Sequence, residues 1–127
     1  MRSFARNPLA AAVVAAFSLS TLAPLHPTQL IVNDGSTQVA AGKYDTRSMT
    51  GLTDPFALAA VNPNSRINGT GIEATTAKVM GAHAVVADLS GQIDLTDSVI
   101  RSLGNNANGV MADRLGMVNL TRAQIDL

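Results

Sequence analysis

The feature that most constrains this chain is an internal repeat. Residues 84–100 read AVVADLSGQIDLTDSVI and residues 109–125 read GVMADRLGMVNLTRAQI, aligned at an offset of 25 without a gap. Seven of the 17 positions are identical, namely Val85/Val110, Ala87/Ala112, Asp88/Asp113, Gly91/Gly116, Leu95/Leu120, Thr96/Thr121 and Ile100/Ile125. A fixed period in this range marks a solenoid or another array. A fainter copy lies upstream. There Ala57-Leu58-Ala59-Ala60 matches Ala84 to Ala87, and Ile67-Asn68-Gly69-Thr70 matches Ile93-Asp94-Leu95-Thr96. From about Phe56 onward the chain therefore reads as about three repeats.

Within each repeat the periodicity is that of strands. Gln92-Ile93-Asp94-Leu95-Thr96 alternates polar and apolar, and its neighbours are short β-branched segments bounded by Gly, Asn, Asp or Ser. Three such segments, around Val85, Ile93 and Ile100, fit one 25-residue turn of an all-β, right-handed parallel β-helix. Successive copies would stack at about 4.8 Å. The expected inward stacks are Leu58/Val85/Val110, Ile67/Ile93/Val118, Leu95/Leu120 and Ile100/Ile125, with Thr96/Thr121 and Asp94/Asn119 as outward ladders. Leucine-rich and hexapeptide solenoids have other spacings and signatures.

Composition agrees with an elongated architecture. Aromatic residues make up 3% of the 127-residue chain, with no Trp, so a core must be built from aliphatic side chains. The absence of cysteine removes disulfides, thiolate zinc sites and cysteine nucleophiles. Nine basic residues balance nine acidic ones, which leaves no field to steer nucleic acid.

The N-terminus reads as a signal peptide over 1–25. Arg2 and Arg6 precede an apolar run from Leu9 to Ser20, too short to span a bilayer. A buried N-terminal helix is the alternative. Beyond it, seven basic and nine acidic residues remain, a charge near −2. Residues 26–55 are expected to supply an N-terminal cap and first strands, and 56–127 the coils. Gln29 to Asp45, with Val39 and Tyr44 as apolar anchors, reads as the cap.

The leader, IVNDGSTQVAAGKYDT, INGTGIEATT, GAHAVVADLSGQIDLTDSVIRS and ANGVMADRLGMVNLTRAQI together resemble the N-terminal part of a pertactin-like autotransporter passenger domain. The likeness covers about Gln29 to the end and rests on repeat patterns rather than catalytic signatures. It implies a β-helix exported by a Gram-negative bacterium to the periplasm, cell surface or medium, often for adhesion to host or neighbouring cells. In that family a C-terminal β-barrel anchors the passenger. Here no run of alternating ten-residue segments follows Ile125, so the expectation is a truncated passenger, either functional or a remnant, that self-associates through an uncapped last coil.

No catalytic, cofactor-binding or metal-binding residues are assigned. His26 and His83 are expected as solvent-facing loop residues without metal-ligand spacing. Asp88 and Asp113 could stack as a carboxylate ladder, but turn formation at a strand end is the preferred role. Asp88, Asp94 and Asp97 would be the acids of a β-helix carbohydrate-active enzyme, the alternative function, yet three coils build no long substrate groove. Asn68-Gly69-Thr70 and Asn119-Leu120-Thr121 match glycosylation acceptors and read instead as outward Asn and Thr positions.

Overall fold

In the computed structural model, residues 29–47, 55–76 and 78–127 are described; the leader lies outside them. These residues hold twelve strands and no helix. The first coil comprises β1 (Leu30–Val32), β2 (Thr37–Ala40) and β3 (Lys43–Asp45), and the second β4 (Leu58–Val61), β5 (Arg66–Thr70) and β6 (Glu73–Thr75). The third comprises β7 (Val85–Asp88), β8 (Gln92–Thr96) and β9 (Val99–Arg101), and the fourth β10 (Val110–Ala112), β11 (Met117–Thr121) and β12 (Gln124–Asp126). Like strands pair in parallel into three four-stranded sheets, β1-β4-β7-β10, β2-β5-β8-β11 and β3-β6-β9-β12. This is a parallel β-helix.

The register agrees with the repeat residue for residue. Val110 pairs with Val85, Val118 with Ile93, Leu120 with Leu95 and Ile125 with Ile100. The fainter copy also aligns as read, with Leu58 beside Val85 and Ile67 beside Ile93. Alternation along each strand then sends one set of side chains into the bore. Leu58, Ile67, Val85, Ile93, Leu95 and Ile100 form its fully buried centre.

Three coils follow Phe56, and residues 30–45 add a turn before them rather than a separate cap. Their strands pair in parallel with β4, β5 and β6. Tyr44 is buried in the bore beside Ala74, as an anchor should be. Val39 is not an anchor. It is 76% exposed, because its register partner Asn68 belongs to the outward row that continues through Asp94 and Asn119. Gln38 shares the register of inward Ile67, yet its side chain is exposed, and Ala40 is the buried residue of β2.

Turns between coils depend on close backbone approach. In the corner after β7, Leu89 and Ser90 both have positive φ, and the Gly91 N–H donates to the Asp88 carbonyl at 2.9 Å. The corner after β10 repeats this with Arg114, Leu115, Gly116 and Asp113. Paired left-handed residues are the signature of a tight I′-type reversal. A Cβ on Gly91 or Gly116 would collide with the carbonyl oxygen of Ala60 or Ala87, one coil earlier. Those two repeat glycines are fixed by packing.

Buried hydroxyls complete the corners. Ser65 Oγ accepts the Gly35 N–H at 2.9 Å. Ser98 Oγ accepts the Ile72 N–H at 3.1 Å and donates to the Thr96 carbonyl at 2.9 Å. Such bonds satisfy backbone groups that the bore would otherwise leave dry.

Candidate functional site

The side chains that carry chemistry lie on the outside of the helix, where the strand period and the turns place them. Asp88 ends β7, and Asp113 directly follows β10, at equivalent corners. Each carboxylate first serves its own turn: Asp88 Oδ1 accepts the Leu89 N–H, and Asp113 Oδ1 the Arg114 N–H, both at 2.8 Å. This is the turn-forming role expected for them. Asp88 also pairs with the Arg114 guanidinium, Nε to Oδ1 at 2.9 Å, with a second bond from Nη2 to Oδ2. The acids thus do not stack as a bare carboxylate ladder: a cation from the next coil lies against Asp88.

The three acids considered for carbohydrate chemistry are dispersed around one coil, each engaged by a different residue of the following coil. Arg114 meets Asp88, Asn119 Nδ2 donates to Asp94 Oδ1 at 2.6 Å, and Arg122 Nε donates to Asp97 Oδ1 at 2.6 Å. The Arg114 guanidinium holds the Asp88 carboxyl below the usual carboxylate range against a smaller opposing effect of burial, and Arg122 does the same for Asp97. All three acids thus link their coil to the next one. Among the described residues, no group of three or more His, Cys, Asp or Glu side chains gathers as a metal site.

His83 departs from the solvent-facing expectation. Its ring is half-buried and stacked on Phe56, centroids 5.9 Å apart and planes 23° from parallel. Its Nδ1 accepts the Asn108 N–H at 2.8 Å across the gap to the next coil. His26 lies outside the described residues. The Asn and Thr of the two acceptor-like tripeptides occupy outward rows, with Asn68 and Asn119 in one and Thr70 and Thr121 in the next.

Two outer grooves were not legible from the sequence. One, of about 280 Å³, runs along the first sheet over Ile31, Ala59, Val86 and Met111, with Phe56, Val61 and Asp88 at its edges. The other, of about 460 Å³, lies over the third sheet and is lined by Lys43, Tyr44, Asp45, Arg47, Glu73, Thr75, Arg101 and Leu103. Its charges compensate one another. Arg47 forms a two-pronged bond with Asp45, while Glu73 lies between Lys43 at 3.9 Å and Arg101 at 4.0 Å. Finding either groove required the register of coil 30–45, which shares few identities with the later repeats.

No family model, curated protein or solved structure matches the chain.

Proposed function

We propose that this chain is a non-catalytic segment of an exported, pertactin-like autotransporter passenger, an adhesin-like module that meets host or neighbouring-cell surfaces. One observation carries the reading: the seven repeat identities all have architectural roles. Val85/Val110, Ala87/Ala112, Leu95/Leu120 and Ile100/Ile125 occupy inward registers. Asp88/Asp113 and Gly91/Gly116 build the corners, and Thr96/Thr121 continues an outward strand row. The repeat thus preserves a stackable coil. A solenoid of this kind offers extended regular faces, which suit recognition of another surface. The leader supports export, and the resemblance to passenger domains supplies the cellular setting.

Expression of the full chain in a Gram-negative host tests both parts. It is expected in the periplasm or outside the cell, and the purified chain is expected to bind cell surfaces without releasing sugar fragments. Retention in the cytoplasm, no binding to any cell surface, or depolymerisation of surface polysaccharide overturns the reading.

A further inference from the structure

We propose that Asn108 is a site of spontaneous deamidation, the Asn-Gly step that the fold leaves free to react while the coils are intact. Glycine after asparagine opens its backbone nitrogen to close approach, because no Cβ stands beside it. The chain has two such steps, Asn68-Gly69 and Asn108-Gly109, and one related Asp-Gly step, Asp34-Gly35. The fold treats the three differently.

Asn68 and Gly69 lie inside β5, paired in parallel with β2 on one side and β8 on the other. The peptide between them cannot turn without opening the ladder. At Asp34-Gly35 the nucleophile is occupied, since the Gly35 N–H donates to Ser65 Oγ at 2.9 Å. The Asp34 carboxylate is held too, with Oδ1 accepting the Ser36 N–H at 3.1 Å and the Ser36 hydroxyl at 2.6 Å. Asn108, by contrast, is exposed and sits in the linker before β10. Among the described residues, neither its side-chain amide nor the Gly109 N–H has a hydrogen-bond partner. The bond from the Asn108 N–H to His83 holds the preceding peptide, not the one that reacts. On the reacting peptide, the Asn108 carbonyl accepts the Ala84 N–H at 3.2 Å, the long end of the normal range.

In the reaction the Gly109 nitrogen attacks Asn108 Cγ. The new C–N bond closes a cyclic imide, the Cγ–Nδ2 bond breaks, and ammonia leaves with the proton that the Gly109 nitrogen gives up. Water then opens the ring at either carbonyl, yielding aspartate or isoaspartate. Both products add a negative charge. Isoaspartate also lengthens the main chain by one carbon directly before β10, where the Val85 N–H donates to the Gly109 carbonyl at 3.0 Å. The modification thus loosens the junction of the last two coils with time.

Incubation of the full chain at neutral pH, folded and in urea, tests this by peptide mass. Trypsin separates the two steps, with Asn68 in residues 67–78 and Asn108 in residues 102–114. In the folded chain Asn108 is expected to deamidate at least about tenfold faster than Asn68, because strand opening limits the latter. In urea the gap is expected to close. Equal rates in the folded chain, no conversion of Asn108 there, or a gap of the same size in urea overturns the proposal. Fragmentation places the change, and conversion at Asn105 or Asn106 in preference to Asn108 overturns the assignment. Amide exchange at Val85 is expected to quicken as isoaspartate accumulates, and unchanged exchange overturns the loosening.

Discussion

Ile100 and Ile125 occupy the same register in successive coils of closely similar sequence, yet Ile100 is fully buried and Ile125 is 45% exposed. The contrast extends through the bore. Val85, Ile93 and Leu95 are buried, whereas Val110, Val118 and Leu120 are only partly so. Sequence pattern sets which way a side chain points. Burial is set by the coils on either side. In a solenoid, stability is therefore close to a sum over neighbouring interfaces, and identical residues in different coils contribute unequally.

The largest expected effect breaks this comparison directly. Leu95→Asp places an unpaired charge in the closed bore and should abolish cooperative folding of the stack. Leu120→Asp places the same charge in the partly open coil, where it can reach water, and should leave the first three coils folded. Amide exchange resolved along the chain distinguishes the two; equal loss of protection in both would refute a neighbour-by-neighbour account. Gly91→Ala and Gly116→Ala come next. Each added methyl meets a carbonyl oxygen one coil earlier, and for Gly91 the coil is held on both sides and cannot move away. The expected cost at Gly91 is about 1–3 kcal/mol in urea unfolding, with a smaller cost at Gly116.

The parts of the fold legible in the sequence were those where the repeat is exact. Segments around Val85, Ile93 and Ile100 became β7, β8 and β9, and the offset of 25 became the pairing register of the last two coils. Coil 30–45 was harder because its period-2 signal is inverted: apolar Val39 faces out while polar Gln38 shares the register of inward Ile67. Coil 58–75 hides a compensation as well. At Gly69, where later coils carry leucine, a Cβ would press on the Ile72 side chain, which fills that space from beyond the strand. The roles of Ser65 and Ser98 were illegible because a hydroxyl's backbone partner lies up to 30 residues away in sequence. Of the outer surface, the turn-forming role of Asp88 and Asp113 could be read locally. The partners Arg114, Asn119 and Arg122 could not, since nothing in a single strand says which neighbour's side chain will lie above it.

The smallest expected effect concerns the turn between the second and third strands, where the coils solve one problem in two ways. The left-handed position is Gly42 and Gly71 in the first two coils, and Asp97 and Arg122, both at φ 52°, in the last two. Glycine adopts that conformation freely, whereas Asp and Arg are strained there. In return, Arg122 reaches Asp97 at 2.6 Å, an exposed pair of small value that salt screens. Arg122→Gly relieves the strain, loses the pair and loosens the unfolded chain, so its melting temperature at pH 7 should stay within about 2 °C of wild type. Arg122→Ala loses the pair and keeps the strain, and should melt lower than Arg122→Gly. Acid separates the two contributions. The Arg122 guanidinium depresses the Asp97 carboxyl in the folded state, so the pair's contribution is complete above the unfolded carboxylate's pKa of about 3.9 and disappears as pH falls through the lower folded value. Wild type should therefore lose more melting temperature than Arg122→Gly between pH 5 and pH 2. Equal losses would mean that the pair contributes nothing and that only backbone strain distinguishes the two kinds of turn.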